Sequence, residues 1–190
     1  LGLVMPHPNS DGYYPGLAKR WAVGKDGRTV YFELDEDARY SDGKPVLASD
    51  FFFNFYFMRS KHVQAPWYND FYGKDKFQKI TLFDKRTLAI EFFKAKPDLL
   101  DRVSIRAIPE HFYKELGGDF LNKYQWVQEP TTGPYVVRQE DIRKGQSITL
   151  FRLPDWWAGE KRFYRNRFNP DRIEVRVIRD PNKAFEVFLK

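Results

Sequence analysis

Leu17-Ala-Lys-Arg-Trp-Ala-Val-Gly-Lys-Asp-Gly-Arg-Thr-Val-Tyr-Phe-Glu-Leu34 carries the clearest local instruction in the chain. Two runs rich in aromatic and aliphatic residues flank Lys25-Asp-Gly-Arg28, and Asp-Gly supplies the positive φ that a tight reversal needs. A β-hairpin is therefore expected over residues 17–34. The same logic repeats downstream, where Lys79-Ile-Thr-Leu-Phe83 and Thr87-Leu-Ala-Ile-Glu-Phe-Phe93 flank Asp84-Lys-Arg86, with Pro97 ending the second run. Hairpins at this density, without regular strand–helix alternation, predict an α+β fold of mixed, largely antiparallel sheets with flanking helices.

Between the hairpins, Ser41-Asp42-Gly43 reads as a turn and Pro45 stops regular pairing. Ser49 is a natural N-cap and Asp50 suits a first helical turn, while Phe51, Phe52, Phe55 and Met58 form an apolar stripe, so a core-packed helix is expected here. Residues 1–16, with three prolines and Asn9-Ser-Asp-Gly12, read as an extended or looped entry. Residues 61–76, carrying Trp67, Tyr68, Phe71 and Tyr72, read as an irregular surface loop. Further on, residues 98–106 are expected to be helical. Ile108-Pro-Glu-His-Phe-Tyr113 starts another short helix that Gly117-Gly118 terminates. Thr131-Thr-Gly-Pro-Tyr-Val-Val137 opens a new β segment. It is followed by a turn at Arg143-Lys-Gly145, a strand Ser147-Ile-Thr-Leu-Phe-Arg152, an alternating strand Ile173-Glu-Val-Arg-Val-Ile178 and a helix after Asp180-Pro181.

Composition narrows the functional classes. With 190 residues, 42% apolar and 31% charged, there is material for one good core or two unequal lobes. No run approaches the ~20 apolar residues of a membrane-spanning helix. The absence of Cys removes disulfides, thiolate nucleophiles and Cys-ligated metals. A net charge of +6 favours anionic partners in general. The densest basic stretch, Lys161, Arg162, Arg165 and Arg167, is interrupted by Phe163 and Tyr164 and reads first as a solvated loop.

Catalysis needs a nucleophile, a base and an orienting group within reach of one another. His7, His62 and His111 occur singly, and no metalloprotease, nucleophile-elbow, phosphate-loop or dinucleotide motif is present. No catalytic residue, metal ligand or cofactor is assigned on this reading, and an enzyme acting on peptides or glycans ranks last. The cluster Asp35, Glu36 and Asp37 lacks calcium-loop spacing and reads as a solvated turn. The aromatic surplus is more informative, because exposed Tyr and Trp give rigid contact area to a ligand at low entropic cost. The Trp67–Tyr72 stretch and Trp156-Trp157 are the candidates.

The blocks Pro15-Gly-Leu-Ala-Lys-Arg-Trp21, Asp26-Gly-Arg-Thr-Val-Tyr-Phe-Glu-Leu34, Ala38-Arg-Tyr-Ser-Asp-Gly-Lys-Pro-Val46 and Ala48-Ser-Asp-Phe51 together resemble the signature of family 5 solute-binding proteins. Thr132-Gly-Pro-Tyr135, Leu153-Pro-Asp-Trp-Trp157 and Asp171-Arg-Ile-Glu-Val-Arg-Val-Ile178 are similar to the family's later segments in the same order. Arg143-Lys-Gly-Gln-Ser-Ile-Thr-Leu150 and Asn166-Arg-Phe-Asn-Pro-Asp-Arg-Ile173 are similar to its oligopeptide and peptide-antibiotic branch. The resemblance implies part of a type II periplasmic-binding-protein-like fold. Residues 1–126 would form the subdomain that extends the first lobe, and 127–190 part of the ligand-proximal first lobe, with the second lobe absent from this internal piece. It implies a peptide or peptide-like ligand, ABC permease subunits as partners, and a location in the periplasm or on the extracytoplasmic face. Tyr68, Tyr72, Thr132 and Tyr135 are the expected ligand neighbours, and Trp156 and Trp157 are expected to be structural. The rival reading is a basic, aromatic nucleic-acid-binding domain, motivated by the charge and the Lys161–Phe168 stretch, although no nucleic-acid motif accompanies it.

Overall fold

The computed structural model describes residues 1–73, 77–103, 105–113 and 116–189. Strands β1 (Val4–Pro6), β2 (Tyr13–Pro15), β3 (Ala18–Val23) and β4 (Thr29–Leu34) are followed by helices α1 (Ala48–Arg59) and α2 (Pro66–Phe71). Next come β5 (Phe77–Leu82), β6 (Thr87–Phe92), α3 (Leu99–Val103) and α4 (Phe120–Tyr124). The chain continues through β7 (Tyr135–Val136), β8 (Ile142–Arg143), β9 (Ser147–Arg152), β10 (Arg172–Arg176) and α5 (Pro181–Phe188).

Both expected hairpins form, and an Asp builds each turn. In the β3–β4 turn, Asp26 Oδ1 accepts from the amides of Arg28 and Thr29, each at 3.1 Å, while Oδ2 accepts from the Thr29 hydroxyl at 2.6 Å. Gly27 takes φ +64°, the left-handed conformation that the turn demands. In the β5–β6 turn, Asp84 Oδ1 accepts from the amides of Arg86 and Thr87 at 2.7 and 2.8 Å. The hairpins join as an antiparallel sheet of order β3-β4-β6-β5, with Phe32 opposite Leu88 and Val30 opposite Ile90.

One face of that sheet is the core. Val30, Phe32, Leu34, Leu88, Ile90 and Phe92 are buried with Phe51, Phe55, Phe57 and Met58 of α1. Alternation along each strand puts every second side chain on this face, as a half-buried sheet requires. Helix α1 departs from the expected stripe in two ways. Phe52 is exposed, whereas Phe53, Asn54 and Phe57 are buried, because the helix is covered on more than one side. Its N-cap is Leu47 rather than Ser49, and Asp50 does the capping by accepting from the Leu47 amide at 2.9 Å.

Three further segments correct the sequence reading. Residues 1–16 are not merely looped, since β1 and β2 pair antiparallel across the Asn9–Gly12 turn, leaving Pro6 and Pro15 at strand ends where a missing amide costs little. Residues 61–76 contain the ordered helix α2, with Pro66 at its first turn, where proline is tolerated. From Ile108 the described residues make a single turn, in which Phe112 and Tyr113 both donate to the Pro109 carbonyl, at 3.0 and 3.3 Å. The expected continuation of that helix falls on residues 114–115, outside the described residues. Gly117-Gly118 precede a helix, α4, where Asp119 and Lys123 pair at 2.8 Å across one turn.

A second antiparallel sheet of order β10-β9-β7, with β8 also on β9, carries the later part of the chain. Asp180 caps α5 by accepting from the amides of Asn182 and Lys183, at 2.9 and 3.4 Å, as the Asp180-Pro181 pair suggests. A second, smaller core of Tyr14, Ala158 and Tyr164 ties the segment after β9 to the N-terminal strands.

Candidate ligand-proximal site

The turn before β7 is a hub. Ser41 donates its amide to the Thr131 carbonyl at 2.8 Å, and Thr131 returns its amide to Ser41 Oγ at 3.1 Å. The Thr132 carbonyl accepts from both indoles, Trp156 Nε1 at 3.0 Å and Trp157 Nε1 at 3.1 Å, while Thr132 Oγ1 accepts from the Leu1 nitrogen at 2.9 Å. Thr132 is 7% exposed. Tyr135 is half-buried and donates its hydroxyl to the Pro170 carbonyl at 2.9 Å, with its ring edge-on to Phe168. Two cavities meet at this hub, sharing Ser41 and Thr131. One of about 230 Å³ reaches Tyr40, Trp156 and Trp157, and one of about 390 Å³ reaches Asp42, Glu129 and Tyr135.

An acidic edge lines the larger cavity, and a polar network runs behind it. Asp42 Oδ2 lies 2.8 Å from His111 Nε2, and the His111 ring stands edge-on to Tyr40. Glu129 accepts from the Tyr113 hydroxyl at 2.8 Å and pairs with Arg106 at 3.3 Å. Burial first, then the carboxylate beside each, pushes the Tyr40 and Tyr113 phenols far above the ordinary tyrosine range, so both stay neutral. Behind them, Asp50 is 4% exposed and accepts from the Leu47 and Glu110 amides at 2.9 and 3.3 Å; burial raises its pKa. The lone reading of His111 missed its carboxylate partner, which lies 69 residues away and has no spacing signal.

The four expected ligand neighbours are not brought to one cavity. Tyr68 stands on α2, 48% exposed. Tyr72 caps α2 and is buried among Phe55, Phe71 and Phe77, with its phenol pushed up to about 12, first by burial. Thr132 and Tyr135 flank the hub, where Thr132 has spent its carbonyl on the tryptophans. The basic stretch is less free than a solvated loop would be. Lys161 bridges Asp35 and Asp37 at 3.0 and 2.7 Å, and Arg167 donates to the Tyr14 hydroxyl at 2.9 Å. Two of the four cations that motivated a nucleic-acid reading are thus committed within the chain.

The profile of the family described as "Bacterial extracellular solute-binding proteins, family 5 Middle" matches residues 12–190. The chain belongs to this family. Among relatives of this chain, YejA of Escherichia coli (strain K12) is 30% identical over 177 residues, 93% of this chain and 28% of that protein. The dipeptide-binding protein DppE of Bacillus subtilis (strain 168) is 25% identical over 190 residues, 92% of this chain and 33% of that protein. In fold, the chain is similar to Haemophilus influenzae OppA, solved in complex with RPPGFSPFR. The TM-score is 0.78 at 19% identity, over 99% of this chain and 38% of that one. It is also similar to NikZ from Campylobacter jejuni, solved with Ni(L-His), with a TM-score of 0.76 at 23% identity over 99% of this chain and 35% of that one. The chain therefore spans about a third of the length of the relatives it matches. The α+β architecture with antiparallel sheets is the one these neighbours share.

Proposed function

We propose that this chain is part of the substrate-binding component of an ABC importer, which binds peptides or peptide-like compounds outside the cytoplasmic membrane and hands them to the permease without chemical conversion. The observation that carries this reading is the family match over residues 12–190, joined to a fold shared over nearly the whole chain with a protein solved holding a nonapeptide. On this reading residues 1–126 are the subdomain that extends the first lobe, and 127–190 belong to the ligand-proximal part of that lobe. On this reading Thr132 and Tyr135 stand at the lobe entry, and Tyr68 and Tyr72 are ligand neighbours from the subdomain, Tyr68 presenting an exposed phenol from α2. The acidic edge of Asp42 and Glu129 suits a peptide's amino terminus or basic side chain. Receptors of this kind clamp ligand by hinge closure, so both lobes supply affinity.

The test is calorimetric titration of the full-length protein that contains this chain with RPPGFSPFR and with a dipeptide. Saturable binding of either, weakened about tenfold by Tyr68→Ala, is the expected result. Silence toward every peptide, with heat only from a nickel–histidine complex, would overturn the peptide reading.

A further inference from the structure

A cavity of about 510 Å³ lies away from the hub and beside the α2–β5–β6 aromatic cluster. Its floor is built from rigid elements. Phe77 and Phe92 face each other across the β5–β6 pair with ring centroids 4.4 Å apart, and Phe71 of α2 packs edge-on against Phe77 at 5.6 Å. Phe77 and Phe92 are buried, whereas Phe93 is 55% exposed on the cavity's edge. Trp67 continues the ring surface outward, lying parallel to Phe71 at 5.4 Å while remaining 68% exposed.

The rim is cationic. Lys94 and Lys96 come from the segment after β6, pinned by the Lys96 amide donating to the Gly27 carbonyl at 3.2 Å, and Arg102 comes from α3. Arg102 pairs with Asp98 at 2.8 Å, but among the described residues neither ammonium has an ion-pair partner and no carboxylate lines the cavity. An apolar aromatic floor under a rim whose two ammonium groups form no ion pair among the described residues, with Asp98 given to Arg102, is complementary to one chemistry: a flat apolar body ending in an anion. A volume of this size accommodates a small ligand, and ring stacking adds to the area buried.

We propose that this cavity binds small aromatic carboxylates, with the acid on Lys94 and Lys96 and the ring on Phe71, Phe77, Phe92 and Phe93, as a site separate from the peptide cleft. Nothing in it depends on the peptide reading. The probe is 2-naphthoate, with 2-naphthalenemethanol as its neutral counterpart, titrated calorimetrically into the full-length protein. Saturable one-to-one binding is expected, with the alcohol at least about tenfold weaker and the acid weakened by added salt. Lys94→Glu with Lys96→Glu, and separately Phe93→Ser, should each weaken the acid about tenfold while leaving the urea midpoint and peptide affinity unchanged, because all three side chains are exposed. Equal affinity for acid and alcohol, uptake that rises linearly without saturating, or binding indifferent to both variants would each overturn the proposal. So would a loss of peptide affinity in parallel with naphthoate.

Discussion

Replacing Asp50 tests how the first core is joined to the segment that follows α3. The carboxylate accepts from the Leu47 amide at the start of α1 and from the Glu110 amide across the core, at 2.9 and 3.3 Å, and it is 4% exposed. Asp50→Ala strands both amides, and a buried donor left unmade costs about 1–3 kcal/mol. The longer 3.3 Å bond belongs at the low end of that range. Removing a desolvated carboxylate returns part of the loss, so about 2–4 kcal/mol of destabilisation is expected. Asp50→Asn keeps one acceptor oxygen and turns an NH₂ toward the second amide, for about 1–2 kcal/mol. Urea unfolding followed by tryptophan fluorescence measures both, with the slope unchanged if the effect lies in the folded state.

The same residue carries a pH signature. Burial raises the folded pKa above the ordinary carboxylate value of 3.8, so the folded state holds the proton more tightly than the unfolded chain. Asp50's electrostatic contribution is thus most favourable below the unfolded pKa and is lost as pH rises through the raised folded value. Relative to Asp50→Asn, the wild type should gain stability on acidification from pH 7 toward 4. An alanine cost below about 1 kcal/mol refutes the cross-link, and a wild-type-to-asparagine difference that stays flat with pH refutes the upward shift of the Asp50 pKa.

Other substitutions check separate joints. Gly16→Ala puts a methyl 2.3 Å from the Gly2 carbonyl oxygen and 2.9 Å from that of Leu3, backbone atoms that cannot yield, so a loss of about 1–3 kcal/mol in urea unfolding is expected. Trp156→Phe and Trp157→Phe should each cost about 1 kcal/mol, and the double variant more than their sum, because only then does the Thr132 carbonyl lose both donors; strict additivity would contradict the shared acceptor. Tyr72, pushed up to about 12 first by burial, should remain un-ionised at pH 11, a test for ultraviolet absorbance of the wild type against Tyr72→Phe. Because its folded pKa is raised above 10.0, its stabilising contribution is full below pH 10 and is lost between about 10 and 12.

How far the sequence could be read follows from the range of the interactions. The hairpins were legible because Asp26-Gly27 and Asp84 act within three residues of themselves. The helix after Asp180-Pro181 was legible for the same reason. Helix α2 was hidden because Pro66 reads as a breaker unless the helix is known to begin there. Ser49 was the better cap by type, but Asp50 occupies the position from which a carboxylate reaches the cap amide. The site's polar partners are non-local, since His111 meets Asp42, Glu110 meets Asp50, and Thr131 meets Ser41 at separations of 69, 60 and 90 residues. Spacing along the chain holds no trace of such pairs.

That non-locality also bears on what Thr132 can contribute. Its carbonyl is shared by two indoles and its hydroxyl oxygen accepts from the Leu1 nitrogen, so both of its oxygens accept from within the chain. Its neighbour Thr131 is tied to Ser41 in both directions, and Gly133 donates to Thr131 Oγ1 at 3.0 Å. Tyr135, Asp42 and Glu129 line the cavity beside them, each held by a partner from a distant part of the chain. A loop fixed at so many points pays little ordering entropy when a ligand arrives, which is the physical advantage of pre-organisation. Thr132 therefore acts by position: its carbonyl is anchored on the two tryptophans, and the turn it belongs to leads into the Tyr135 ring and stands beside the acidic edge.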